Sequence, residues 1–230
     1  MFDWFTQTWT RFGGQIVTGF LETFYMVAVS FGISAVIGTG AGIALSLCRR
    51  GGVWESPLLA APLSVAVNLI RSVPFILLLI IVAPLARMLV GTAYGIYASM
   101  VSLSIVGVAI VTRLVEQAIA DINPQLFQTA HSLSASRGQV ITEFILVEAR
   151  GALILGYTSA IISLIAYSTV VGVIAGGGIG YLALQEGFYM WNQPLMWVII
   201  ILMTIFVQLI QLAGSALART FDRKGKGRNS

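Results

Sequence analysis

Long apolar runs without a charge dominate the chain. They cover 23–48, 56–70, 72–86, 88–112, 151–185 and 187–218. A helix that crosses a bilayer needs about 20 mostly apolar residues, and the runs predict five such helices. The first covers 23–48. Runs 56–70 and 72–86 are each too short alone and are parted only by Arg71, so they read as one helix over 58–84 with a charge inside it. Run 88–112 opens on the polar break Gly91-Thr92-Ala93-Tyr94-Gly95 and predicts a helix over 96–116. Run 151–185 exceeds one crossing. Its second half carries Gly172, Gly176, Gly177, Gly178 and Gly180, so the span is set at 152–172, with a glycine-rich segment turning back after it. The last span is 194–216.

Composition agrees. Of 230 residues, 57% are hydrophobic and 10% charged, against about 25% charged in an ordinary soluble domain. Nine acids and thirteen bases cannot cover a soluble fold of this size. The expected class is an all-α integral membrane protein with lipid as its main solvent. A disordered chain, a nucleic-acid binder and most soluble enzymes are excluded. The single cysteine, Cys48, rules out an internal disulfide and reads as a small apolar residue near a helix end.

Positive residues stay on the cytoplasmic side of a membrane. With the N-terminus outside, Arg49, Arg50, Arg113, Arg137, Arg150, Arg219, Arg223, Lys224, Lys226 and Arg228 fall inside, and only Arg11 and Arg87 outside. Five spans then place the C-terminus in the cytoplasm, as a basic tail over 217–230. Residues 1–18 form an extracytoplasmic segment without signal-peptide features. Trp4, Trp9, Tyr94, Tyr97, Tyr189 and Trp191 fall at the outer interface, where aromatic side chains anchor spans.

Segment 114–150 is the one long polar stretch between spans. Asn123-Pro124 is a helix start, because Asn caps and Pro suits the first helical position. Leu126, Phe127, Ala130 and Leu133 then share a helical face. A serine-rich break follows, and Val140, Ile141, Phe144, Ile145 and Val147 form a second apolar face. The pattern predicts a helical hairpin over 124–148 on the cytoplasmic surface. It reads either as an interfacial connector or as an element that lays its apolar face into a soluble partner's groove.

This hairpin resembles the cytoplasmic signature loop of ATP-binding-cassette importer permeases. That pattern is Glu-Ala-Ala, three residues, Gly, nine residues, Ile, any residue, Leu-Pro. Here the positions hold Gln128-Thr129-Ala130, Ser134, Phe144, Leu146 and Val147. Ala130 and Leu146 match, while Gln128 loses the charge, Ser134 stands for the glycine and Val147 for the proline. A second resemblance covers nearly the whole chain. The stretch from Asn68 through Arg71, Ser72, Val73, Pro74 and Phe75 to Ile76, with Pro84, Arg87 and Val90-Gly91-Thr92, is similar to the second span of methionine importer permeases. Tyr167-Ser168 followed by the glycine cluster resembles their fourth-span exit, and Gln208-Leu209-Ile210-Gln211 their last span. Osmoprotectant and phosphonate permeases carry similar glycine clusters.

The resemblance implies a type I transmembrane domain over 19–213 in a bacterial inner membrane. It further implies a homodimer of ten spans, two cytoplasmic ATPase subunits docked beneath it, and an extracytoplasmic methionine-binding protein. Leu126, Phe127, Gln128, Thr129, Ala130, Leu133 and Ser134 are then the coupling residues. No Gly-x-x-x-x-Gly-Lys-Ser/Thr phosphate loop exists in the chain, so no cofactor is expected on it, and ATP with Mg belongs to the partner.

Candidates for the pathway or gate are Arg71, Ser72, Pro74, Tyr167, Ser168, Thr169 and Val170. Arg71 reads as the one charge deep in a span, costly by about 2.5–3.5 kcal/mol on insertion scales. It is expected either to satisfy carbonyls freed by Pro74 or to greet a substrate carboxylate. Pro74 should kink its helix. The three hydroxyls serve interhelical bonding or line the path. His131, the only histidine, has no acidic partner at a useful spacing and reads as a surface residue. Three rivals stand beside this reading. A secondary transporter would need an internal repeat, an intramembrane enzyme would need a nucleophile–base pair at depth, and an accessory protein would need no pathway at all. A permease for another amino acid, an osmoprotectant or a phosphonate is the nearest alternative.

Overall fold

The computed structural model describes residues 3–49, 52–174 and 176–221. The basic tail from 222 onward, Arg50 and Ala175 lie outside the described residues. Helix α1 runs unbroken from Asp3 to Cys48, 46 residues. The N-terminal segment expected before the first span is therefore helical from Asp3 onward. The six aromatic residues assigned to the outer interface are all exposed, as an anchoring belt requires.

The helix expected over 58–84 is two helices, α2 (Pro57–Ser72) and α3 (Phe75–Val90), bent by 115° at Val73-Pro74. The physical cause is local. A residue before proline is pushed out of the helical region, and Val73 sits at φ −80°, ψ 128°. Pro74 has no N–H to continue the ladder. A kink was expected and a sharp break is found. Helix α3 ends at Gly91, whose left-handed φ of 79° lets its N–H reach Arg87 O.

Helix α4 (Gly95–Ala120) is the most enclosed of the long helices, with 67% of its most apolar stretch buried. It runs parallel to α1 in unusually close contact. Ser30 and Ser34 hydroxyls donate across to Met100 O and Ser104 O, both at 3.3 Å. One and two turns further along α1, Gly38 and Gly42 face Val111 and Val115. Small residues every fourth position let two backbones approach, which is how helices adhere where lipid removes the hydrophobic drive.

After α5 (Gln125–Ser132), the chain forms α6 (Arg137–Gln139), a π-helical stretch (Val140–Ile145) and α7 (Leu146–Val171). These make one continuous helix, Arg137–Ile174, of 38 residues. The second arm of the expected hairpin is thus the start of the next span rather than a separate surface helix. Ser136 opens it with a capping box closed by Gln139.

The glycine cluster folds the chain back only locally, so that Gly180 lies against Thr169 and Gly172, and the chain then runs on. A short α8 (Gly178–Leu182) and a π-helical stretch (Ala183–Tyr189) follow the break. They continue along the N-terminal half of α1: Gly178 lies at Glu22, Ile179 at Thr23, Leu182 beside Phe12 and Ile16, and Glu186 opposite Gly14 and Gln15. Gly177 and Gly178 take φ of 77° and 78° at the break, a region open to glycine at little cost. Helix α9 (Gln193–Phe221) completes the bundle. Among the described residues, four helices are long and apolar enough to cross a membrane, and five spans result when the bent pair α2–α3 counts as one.

Candidate coupling helix and pathway residues

Helix α5 is built as its sequence suggests. The Asn123 carboxamide oxygen accepts from Gln125 N at 3.0 Å, and Pro124, already at helical angles of φ −55° and ψ −26°, caps the helix. Its apolar face is divided. Ala130 is 1% exposed and packs into a cluster with Ile122, Val140 and Ile145. Leu126 and Phe127 are half-buried against the same cluster. Leu133 is 67% exposed, and Gln128 and Thr129 are exposed beside it. Ala130 therefore belongs to the chain's own core, and the surface free for a partner is Leu133 with the exposed parts of Leu126 and Phe127. His131 is exposed, as expected.

Ser134 adopts φ 51°. Ser134 N–H reaches His131 O at 3.0 Å and Ala135 N–H reaches Ala130 O at 3.1 Å. This is a left-handed helix stop, the position where glycine is favoured and where the signature pattern has glycine. A serine held there costs about 1 kcal/mol through its Cβ. Ser134→Gly is therefore expected to stabilise the chain by roughly that amount. A raised midpoint of thermal unfolding in detergent would report it, and an unchanged or lowered midpoint would contradict the backbone geometry.

The pathway candidates separate on inspection. Ser72 Oγ donates to Asn68 O at 2.8 Å and Val73 N–H to Leu69 O at 3.3 Å. Neither bond involves Arg71. Nor does Arg71 sit deep in a span. It shares a cavity wall with Arg49, just past the end of α1, and with Ala120, the last residue of α4. Its level is the end of the bundle where α1 and α4 finish, because α2 departs so far from the line of α3.

Tyr167 is brought to the break, with its ring 4.7 Å from that of Phe75. Tyr167 and Arg71 line one cavity of about 290 Å³ together with Ser163 and Gln117. Ser168 and Thr169 do not join helices, since their hydroxyls bond back to Ile165 O and Ala166 O, both at 2.7 Å. Ser168 is buried, Thr169 is exposed, and Val170 packs at the edge of the main core. Pro74 is exposed at the bend.

The sequence reading missed two polar clusters. Arg113 lies within α4, donating to Glu116, to Ser64 Oγ at 3.1 Å and to Asn68 Oδ1 at 2.6 Å. It ties α2 to α4. The i,i+3 spacing of Arg113 and Glu116 was the available signal. Glu22, just before the first uncharged run, accepts from Gly178 N at 2.7 Å, and Thr23 Oγ1 accepts from Ile179 N at 2.9 Å. These two α1 side chains clamp the broken segment after α7.

A five-span helical bundle with a span broken at proline and a short helix between spans fits an importer permease. The family model for the binding-protein-dependent transport system inner membrane component matches residues 36–224, and the chain belongs to that family as a multi-pass inner-membrane permease. Within it, the chain groups with methionine transport permeases. It is 32% identical over 209 residues to a probable D-methionine transport system permease of Vibrio cholerae, covering 91% of this chain and 93% of the relative. It is 36% identical over 204 residues to that of Pasteurella multocida, covering 89% and 94%. An inward-facing methionine ABC transporter structure is similar at a TM-score of 0.88 and 33% identity, covering 90% of this chain and 96% of that one.

Proposed function

We propose that this chain moves methionine, D- or L-, across the inner membrane as the permease of an ATP-driven importer. Likeness to methionine permeases across nine-tenths of the chain carries the reading. Two copies associate about a two-fold axis, the commonest closed symmetry, and the path runs between them. Two cytoplasmic ATPase subunits bind ATP and Mg and grip the α5 region. A binding protein delivers methionine at the outer face. Closure of the ATPase pair moves α5, and because α5 packs through Ala130 onto the start of the long helix Arg137–Ile174, that motion passes into the span. The two halves rock between outward-open and inward-open states. Phe75, next to Pro74, and Tyr167 meet at the broken span, where transporters place substrate sites near unwound backbone. The N-terminus lies outside and the C-terminus in the cytoplasm.

The test is expression of the tagged chain with its ATPase and binding protein in cells lacking other methionine uptake. The expected result is copurification of the ATPase and saturable uptake of labelled methionine. Uptake of another amino acid or an osmoprotectant in its place would reassign the substrate. On a Cys48→Ala background, Asn229→Cys should be labelled only after the cells are permeabilised. Labelling from outside would reverse the orientation.

A further inference from the structure

Where α1 and α4 end beside α2, the walls of two cavities hold, among the described residues, more basic than acidic side chains. Two adjoining cavities of about 290 and 330 Å³ share Arg71, Arg113 and Gln117 in their walls, and the second adds Arg49, Asn68 and Glu116. Three guanidinium groups thus meet one carboxylate. That carboxylate, Glu116, is engaged by Nη1 of Arg113. Nη2 of Arg113 is shared between Ser64 and Asn68, while its Nε–H is buried without a partner among the described residues. Arg71 has no hydrogen bond or ion pair among the described residues. Buried donors are nearly always satisfied, and here two basic side chains with donors unmet among the described residues line the same cavities. A guanidinium presents paired N–H groups that match a carboxylate. The opposite wall of the first cavity is apolar, with Phe75, Val106 and Ile110.

We propose that Arg71 and Arg113, with Arg49 and Gln117 at the rim, form an exit site for a carboxylate. Its occupant is the carboxylate of the transported amino acid, whose apolar side chain lies against Phe75 and Ile110. This rests on the methionine reading above and adds the group that the cytoplasmic mouth recognises. The excess positive charge holds the anionic end of the zwitterion as it leaves the broken span, and the exposed outer cavity opens the way to water. The phosphate of an anionic lipid headgroup carries the same kind of charge, and the experiment separates the two sources.

The importer, assembled with its ATPase and binding protein, is reconstituted in phosphatidylcholine vesicles with and without phosphatidylglycerol. Arg71→Gln should copurify with the ATPase yet take up labelled methionine about tenfold more slowly in both lipids, the equivalent of losing about 1.4 kcal/mol at the site. Arg71→Lys should recover most of the rate. Wild-type uptake by Arg71→Gln overturns the site. A loss confined to vesicles with phosphatidylglycerol gives it to the lipid headgroup and overturns it equally. A second measurement does not depend on a variant. Phenylglyoxal modification of Arg71 in the wild-type complex, read by peptide mass spectrometry, should be slowed by methionine and not by methionine methyl ester. Equal protection by both, or by neither, removes the carboxylate from the assignment. If wild-type vesicles hydrolyse ATP but take up no methionine, it is the substrate reading that has failed, and that arm identifies this outcome before any variant is compared.

Discussion

Leu133→Glu is expected to abolish most methionine uptake while the chain still accumulates in the membrane. Leu133 is 67% exposed at the end of α5, and its side chain supports little of the chain's own core. In a docked complex the same side chain would be buried. Burying a leucine contributes about 1.5–3 kcal/mol, and placing a carboxylate there adds a desolvation penalty to that loss. Docking should weaken at least tenfold for each 1.4 kcal/mol lost. Ala130→Glu makes the informative contrast. At 1% exposure, Ala130 faces Ile122, Val140 and Ile145, so a carboxylate there would break the permease's own packing and lower its amount. The measurement pairs membrane abundance with copurified ATPase and uptake. If Leu133→Glu copurifies and transports normally, α5 is an interfacial connector and the coupling mechanism loses its contact.

Gly42→Val should disrupt assembly of the bundle. A Cβ added at Gly42 would lie 2.6 Å from Val115 Cβ and 2.7 Å from Thr112 O. Both belong to α4, so relief requires moving one helix from the other. The Ser30 and Ser34 bonds to Met100 O and Ser104 O depend on the same close approach. Overpacking a filled core costs about 1–3 kcal/mol and occasionally more, and here two further methyl groups follow the Cβ. Membrane abundance and a monodisperse gel-filtration profile in detergent should both be lost. Gly40→Val serves as the control, because a Cβ at Gly40 meets nothing within 4 Å. Equal tolerance of both substitutions would mean that α1 and α4 are not packed as described.

Several features were legible because their causes are local. An uncharged run of membrane length makes a helix in lipid whatever surrounds it, since its backbone bonds must close internally. That argument located α1, α4, α7 and α9 and the family's class. Asn123-Pro124 started α5 through the chemistry of the first helical turn. Pro74 interrupted its helix for reasons confined to two residues.

What tertiary structure alone decided is where those elements meet. The size of the bend at Pro74 depends on what α2 and α3 pack against, and it carries Arg71 from an apparent mid-span position to the level of Arg49 and Ala120. Ala130 and Leu133 read as one apolar face, yet only the contact with Val140 and Ile145 shows which of them is core. Ser134 could be recognised as a departure from glycine, but the left-handed φ it keeps is imposed by the helix stop around it. Glu22 and Gly178 are 156 positions apart and become partners only when α8 runs on along α1. Periodicity and propensity describe the neighbourhood of a residue along the chain. Burial, cavity walls and long-range hydrogen bonds depend on residues remote in sequence, and those decide which polar side chains are available for transport.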